Sequence, residues 1–235
     1  PSCCDLTART LEVLAEFNYA PAHPVVRHAV RFLRRHQEKD GAWYGRWGVN
    51  YIYGTWQVLR GLSAIGEDMG EPWIQRGRDW LESHQNDDGG WGESCASYED
   101  PAARGRGCST PSQTAWALMG LLSFPEVERP SLERGVRFLV GTQNADGSWD
   151  EDLITGTGFP KVFYLKYDLY RNNFPLLALA MYANRLEVPV PALNRSHRRR
   201  LAAPEPTGVP TFTALLSGLP GIEALKELLT KRNHG

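Results

Sequence analysis

Apolar side chains recur at helical spacing in seven segments, which are separated by short stretches rich in glycine, proline and aspartate. The first segment carries Leu6, Leu11 and Leu14, with Asp5 near its start, where an acidic residue favours a helix N-terminus. No segment shows convincing two-residue alternation, so the pattern predicts an all-α fold without strands. The predicted helices span approximately residues 5–17, 24–37, 50–65, 71–85, 110–123, 130–143 and 173–186.

Three of the predicted helices end in the same short sequence, which we call the Gln–Trp repeat. Each copy has a glutamine at the helix end, then an Asp-Gly step, then a tryptophan. Asp-Gly steps favour turns and left-handed backbone conformations, so each copy is expected to terminate its helix. The copies contain Gln37, Asp40, Gly41 and Trp43; Gln85, Asp88, Gly89 and Trp91; and Gln143, Asp146, Gly147 and Trp149.

The glutamines of successive repeats are 48 and 58 residues apart, a period typical of stacked supersecondary units. Helix pairs joined by one recurring turn predict part of an α/α toroid, in which inner and outer helices form a double-layered barrel. A closed barrel of six pairs needs about twelve helices, whereas the pattern predicts seven. We therefore expect either an open arc or a barrel completed by helices upstream, since the chain begins at Pro1 rather than at a methionine.

The chain divides after the last predicted helix. Residues 1–186 form the predicted part of the barrel, and residues 187–235 form an irregular tail. The tail has a proline-rich stretch at 188–191, a basic cluster at 195–200 and a short amphipathic segment at 222–229. A basic cluster is typical of a solvated tail, and contact with acidic lipid is the alternative.

Net charge and cysteine spacing argue against several functional classes. A net charge of −1 gives no electrostatic basis for binding nucleic acid. The cysteines have no spacing that predicts a metal site, so reduced thiols in a cytosolic setting are the simpler interpretation, and no cofactor is predicted. No apolar run approaches the roughly 20 residues needed to span a bilayer, and no signal peptide is recognisable.

Aromatic residues are concentrated in two stretches. Residues 42–56 contain six tryptophans and tyrosines, including Trp47, Tyr53 and Trp56. In the second stretch, four rings are spaced so that a helical segment would place them all on one face. These rings belong to Phe159, Phe163, Tyr167 and Tyr170. Aromatic residues at such spacing usually form core, and on the residues alone this interpretation stays open.

The functional alternative is a cavity that stabilises a carbocation. An aromatic ring attracts a cation through its quadrupole, by about 0.5–2 kcal/mol. A carboxylate would instead trap a carbocation covalently or remove a proton from it. A barrel lumen lined with rings would therefore suit a hydrocarbon cation that must be kept away from water.

The sequence resembles the squalene–hopene cyclases over about residues 1–186, and its matching blocks occur in the family's order. The Gln–Trp repeat matches the QW motif, which joins outer helices of the family's barrels, with the glutamine capping a helix end and the tryptophan stacking beside it. The other blocks are Gly-Arg-Trp-Gly-Val-Asn-Tyr at 45–51, Ser-Tyr-Glu-Asp-Pro at 97–101, Ser-Thr-Pro-Ser-Gln-Thr-Ala-Trp at 109–116 and Gly-Thr-Gly-Phe-Pro at 156–160.

The resemblance implies an enzyme that folds squalene in a cavity, protonates a terminal alkene and guides the cations to a pentacyclic hopanoid. It implies that Trp47 lines the cavity wall. Phe163 would contact a cation directly and Phe159 would act on the later-forming rings. Tyr167 and Tyr170 would position the other aromatic rings and shape the pocket.

Two further residues are implied to support the catalytic acid. Tyr53 matches a tyrosine that helps to return a proton to the acid through water. Arg9, four residues after Asp5, matches a basic residue that hydrogen-bonds the acid, and a cation there would stabilise an ionised carboxylate. A solvated or salt-bridged arginine on the surface of an amphipathic helix is the alternative interpretation.

The proton donor of the family lies in an Asp-x-Asp-Asp sequence, which these 235 residues do not contain. The carboxylates of Asp87, Asp88, Glu151 and Asp152 lie in or after repeat turns, where we expect them to be exposed and unable to protonate an alkene. We therefore expect the 235-residue chain alone to lack cyclase activity. The missing N-terminal part of the barrel would carry the acid.

Other interpretations share the fold. A cyclase acting on a different linear polyprenyl chain is the nearest. A protein prenyltransferase β-subunit would need a zinc site of Asp, Cys and His, which the spacing does not indicate. A truncated, non-catalytic binding or interaction module would expose apolar inner helices. Finally, the resemblance implies peripheral, monotopic attachment on the cytoplasmic side of a membrane.

Overall fold

The computed structural model describes residues 2–126 and 129–186, and the predicted tail at 187–235 lies outside them. All seven predicted helices are present, with ends within three residues of the expected positions, so the helical fold class is confirmed. They are α1 (Cys4–Glu16), α2 (Pro24–Arg35), α3 (Tyr51–Ala64), α4 (Pro72–Ser83), α5 (Pro111–Leu121), α6 (Pro130–Gly141) and α7 (Tyr170–Arg185). Two short 3₁₀ segments, Cys95–Tyr98 and Pro101–Ala103, lie between α4 and α5.

Alternate helices form two layers. Helices α1, α3, α5 and α7 pack side by side in chain order, and α2, α4 and α6 each pack on the outside of the helix that precedes them. Burial is greatest in the two middle helices of the inner layer, α3 and α5: every residue of α5 is buried, whereas the outer helix α2 buries only Val26 and Leu33. Helix α5 has no charged residue while α2 carries several, so the composition of these two helices matches their layers. The result is an arc of an α/α toroid.

The glutamines of the first two Gln–Trp repeats tie one outer helix to the next. Nε2 of Gln37 donates to the carbonyl of Trp73 at the start of α4 (2.7 Å), and Nε2 of Gln85 donates to Ser131 at the start of α6 (2.8 Å). Arg76 of α4 completes the first link by donating to Oε1 of Gln37 (2.9 Å). Each glutamine therefore braces the outer layer.

The repeat tryptophans are fully buried and reach back to the helix that precedes them. The indole N–H groups of Trp43, Trp91 and Trp149 donate to the carbonyls of Leu33, Leu81 and Leu139 at 2.8, 2.7 and 2.8 Å. The indole thus binds a carbonyl in the last turn of its own helix, while the glutamine amides of the first two repeats bind the first turn of the next outer helix. Gln143 donates to Gly147 within its own turn (3.0 Å).

The Trp43 indole requires a glycine in α4. A Cβ atom on Gly77 would lie 2.6 Å from Cζ3 of the fully buried Trp43. Gly77→Ala is therefore expected to lower the free energy of unfolding by about 1–3 kcal/mol, measured by urea denaturation. Gly141 of α6 is the matched control, since a Cβ there meets no atom within 4 Å. Gly141→Ala should leave stability unchanged or raise it by about 0.5–1 kcal/mol, and equal losses would contradict the packing argument.

Residues 156–165 form a β-hairpin, so the prediction of no strands is wrong for this segment. Strand β1 (Gly156–Phe159) pairs antiparallel with β2 (Phe163–Leu165), and the register is irregular between Thr157 and Phe159. Gly158 is needed because a Cβ there would clash with the ring of Phe163.

The hairpin also corrects the arrangement of the second aromatic stretch. Phe159 and Phe163 lie on opposite strands, Tyr167 follows the hairpin, and helix α7 begins only at Tyr170. The four rings therefore do not share one helix face. An isolated bridge between Gly48 and Gly156 joins the hairpin to the loop before α3.

Candidate functional site

A buried carboxylate fixes the backbone at Trp47. Asp5, in the first turn of α1, is 1% exposed, and its Oδ2 accepts from the backbone N–H groups of Arg46 (2.8 Å) and Trp47 (3.0 Å). The Trp47 indole remains 40% exposed. The guanidinium carbon of Arg46 lies 5.0 Å from the Trp47 ring centroid and 5.1 Å from that of Phe159. These two rings therefore already share one cation, at distances typical of cation–π contacts.

The hairpin brings the two phenylalanines together. Phe159 is opposite Phe163 in the ladder, and their ring centroids are 5.7 Å apart. Both side chains are about half exposed, at 53% and 45%. Two rings on a short, glycine-containing hairpin are thus presented beside Trp47 rather than buried in core.

Three tyrosines continue this surface. Tyr167 stacks on Tyr170 with centroids 4.7 Å apart, and Gly156 makes room for Tyr167, because a Cβ there would lie 2.5 Å from its ring. Gly48 makes room for Tyr53 in the same way. Because the two glycines form a backbone bridge, Tyr53 and Tyr167 rest on neighbouring chain segments. We call the connected set Trp47, Tyr53, Phe159, Phe163, Tyr167 and Tyr170 the aromatic wall.

The wall includes tyrosines that stay neutral over a wide pH range. Burial raises the pKa of Tyr53, and the nearby negative charge of Asp5 adds to this effect. Burial likewise raises the pKa of Tyr170. A neutral phenol can both accept and donate a hydrogen bond, which is what a proton relay through water requires.

A second layer of rings lies behind the wall, and the sequence interpretation assigned none of its members to the site. Trp56 and Trp116 stack with centroids 5.9 Å apart, and Phe174 of α7 lies edge-on to both, at 5.4 and 5.5 Å. Tyr53 lies 5.0 Å from Trp116, so the second layer supports the first. One sequence feature could have indicated this layer: Trp56 and Trp116 are each the sixth residue of an inner helix.

Arg9 lies on the inner side of the arc. Its guanidinium carbon is 5.5 Å from the Trp56 ring centroid, and its Nη1 is 3.3 and 3.5 Å from the carboxylate oxygens of Glu12. It also lines a cavity of about 540 Å³ between the C-terminal halves of α1, α3 and α7. The Arg9 side chain is 46% exposed and salt-bridged to Glu12, which fits a salt-bridged surface arginine as well as the implied position beside the acid.

One expectation about the turn carboxylates is wrong. Glu151 is buried, and its oxygens accept from the backbone N–H and the hydroxyl of Ser112, both at 2.8 Å. Burial raises the pKa of this carboxyl group. Both oxygens are occupied at the start of α5, so the geometry indicates a structural role. The other three, Asp87, Asp88 and Asp152, are exposed as expected.

The arrangement can bind a cation but does not itself assemble a metal site. Within residues 2–126 and 129–186, no group of three or more His, Cys, Asp or Glu side chains is placed to hold a metal ion. None of the helices described reaches the length and apolarity that crossing a membrane requires.

Comparisons with known proteins agree with this geometry. The family model for the squalene–hopene cyclase C-terminal domain matches residues 1–184. The chain is 55% identical over 187 residues to the squalene–hopene cyclase of Alicyclobacillus acidocaldarius, covering 80% of this chain and 30% of that protein. It is 45% identical over 211 residues to dammaradiene synthase from Dryopteris crassirhizoma, covering 80% of this chain and 31% of that protein. The chain therefore spans about a third of the length of these relatives.

A solved structure supports the fold alone. The ent-copalyl diphosphate synthase from Streptomyces platensis aligns with a TM-score of 0.56 at 20% identity, covering 78% of this chain and 34% of that one.

Proposed function

The chain belongs to the squalene–hopene cyclase C-terminal domain family, and on that basis we propose that it forms part of the cavity of a triterpene cyclase. The enzyme would fold squalene, or a related linear polyprenyl chain, and convert it to a pentacyclic hopanoid through an acid-initiated cation cascade. The observation that carries this proposal is the aromatic wall, whose hairpin rings are exposed and in which Trp47 and Phe159 already flank the guanidinium of Arg46.

Each wall residue has a role that its position supports. Phe163 and Phe159 offer exposed ring faces to a developing cation without a nucleophilic atom that would trap it. Tyr167 and Tyr170 stack on each other where the hairpin leads into α7, and they would shape the pocket. Tyr53, held neutral by burial, would pass a proton back to the acid through water.

The acid would come from elsewhere in the enzyme. The 235 residues contain no Asp-x-Asp-Asp sequence. The two buried carboxyl groups that follow repeat turns are already engaged, Glu151 by Ser112 and Glu93 by the backbone N–H groups at the start of α3. We therefore propose that an acidic segment outside these residues faces the wall and that Arg9 hydrogen-bonds it.

The test compares triterpenes formed from squalene by two proteins: the 235-residue chain alone and the longest translation product that contains it. We expect product only from the longer protein. In that protein, Phe163→Ala should lower turnover by about tenfold or more, since a cation–π contact desolvated in a cavity is worth about 2 kcal/mol. Product from the 235-residue chain alone would contradict the need for an outside acid.

The control is Tyr19→Ala, which removes a ring from the loop after α1, away from the wall. This variant should turn over squalene at the rate of the unmodified protein. Absence of any triterpene from the longer protein would contradict the proposed function itself.

A further inference from the structure

A second ion pair lies next to Arg9 in the cavity between the inner helices. Glu12, one turn after Arg9 on α1, accepts from Nε of Arg60 on α3, with 2.9 Å between Nε and Oε2. The same carboxylate accepts from Nη1 of Arg9 at 3.3 Å. One carboxylate therefore joins two guanidinium groups from neighbouring inner helices.

A contact with a third helix, α7, helps to fix the Glu12–Arg60 pair in place. Nη1 of Arg60 also reaches Sδ of Met181 on α7, at 3.1 Å, so Arg60 is held from two helices. The Glu12 side chain is 17% exposed, against 46% for Arg9. A long, half-exposed arginine has many accessible rotamers, and a partner fixed by a second helix reduces their number.

We propose that Glu12 and Arg60 are positioning residues that hold the guanidinium of Arg9 beside the Trp56 ring and set the net charge presented to the catalytic acid. The inference rests on the proposed function, because it concerns the same acid. Glu16 and Arg185 also line this cavity. Tyr53 and Tyr170 lie within the electrostatic reach of Arg9, and Asp5 acts on Tyr53.

The charge balance predicts shifts of opposite sign. Arg9, Glu12 and Arg60 together carry one net positive charge. Glu12→Gln leaves two net positive charges, which favour the ionised form of a nearby acid and so lower its pKa. The alkaline limb of the pH profile of activity should therefore move to lower pH. Arg60→Met leaves no net charge, so the alkaline limb should move to higher pH. Arg60→Lys keeps the charge and should keep the original profile.

The experiment measures kcat and KM for squalene against pH in the longest translation product that contains these residues. We expect Glu12→Gln and Arg60→Met to lower kcat by about tenfold, with little change in KM, because neither side chain belongs to the aromatic wall. The alkaline limbs should move in opposite directions.

Glu133→Gln is the matched control, since it breaks a comparable helical ion pair with Arg137 (2.6 Å) on the outer helix α6. Its pH profile should match that of the unmodified protein. If Glu12→Gln and Arg60→Met both lower thermal stability but leave the alkaline limbs of the pH profiles unshifted, the two residues have a merely structural role and the inference is overturned. If the unmodified protein forms no triterpene, the proposed function fails instead.

Discussion

Replacing Trp116 with alanine is expected to lower the free energy of unfolding by about 3–5 kcal/mol. Trp116 is fully buried, and its ring lies 5.0–5.9 Å from the rings of Tyr53, Trp56, Tyr170 and Phe174. These neighbours belong to α3 and α7, which flank α5 and cannot both close over the space left behind. Urea denaturation followed by circular dichroism gives the change in stability.

The same variant should also disorder the tyrosines that Trp116 supports. The near-ultraviolet circular dichroism should weaken, because Tyr53 and Tyr170 lose a fixed neighbour. Trp47→Ala is the control: this indole is 40% exposed, and its loss should cost less than about 1 kcal/mol. Losses of similar size in the two variants would refute the view that the second ring layer supports the first.

Helix periodicity was sufficient to predict α1 to α7, because each has either an apolar stripe or an almost wholly apolar surface. It failed at the hairpin for a geometric reason. Residues four apart share a face of a helix, and residues four apart also meet across a tight hairpin. Phe159 and Phe163 satisfy both patterns, and only Gly158, which leaves room for the Phe163 ring where a Cβ would clash, favours the hairpin.

The candidate site was predictable only in part. Trp47 and the hairpin rings came from the family resemblance, since an aromatic cluster alone is equally consistent with core. Trp116 escaped prediction because its importance depends on how α3, α5 and α7 pack. Glu93 and Glu151 are acidic residues of turn segments, and their burial arises from helix N-termini that lie about 40 residues away in sequence.

Glu93→Ala is expected to lower the free energy of unfolding by about 2–3 kcal/mol. Glu93 is 4% exposed, and its Oε2 accepts from the backbone N–H groups of Asn50 (3.1 Å) and Ile52 (2.9 Å) at the start of α3. Alanine would leave both donors buried without this partner, at the helix that carries Tyr53. Urea denaturation measures the loss, and Glu133→Ala, on the surface of α6, should change stability by no more than about 0.5 kcal/mol.

Glu93→Gln separates the hydrogen bonds from the charge. Glutamine keeps an acceptor for the two N–H groups, so Glu93→Gln should lower the free energy of unfolding at neutral pH by less than Glu93→Ala does. Burial raises the pKa of Glu93 in the folded protein above the unfolded value of about 4.3. The protonated group thus favours folding below that pH, and this stability is lost as pH rises through the folded pKa. The unfolding free energy of the unmodified protein relative to Glu93→Gln should therefore fall as pH rises above about 4.3, and a constant difference would contradict the burial of a titrating carboxyl group.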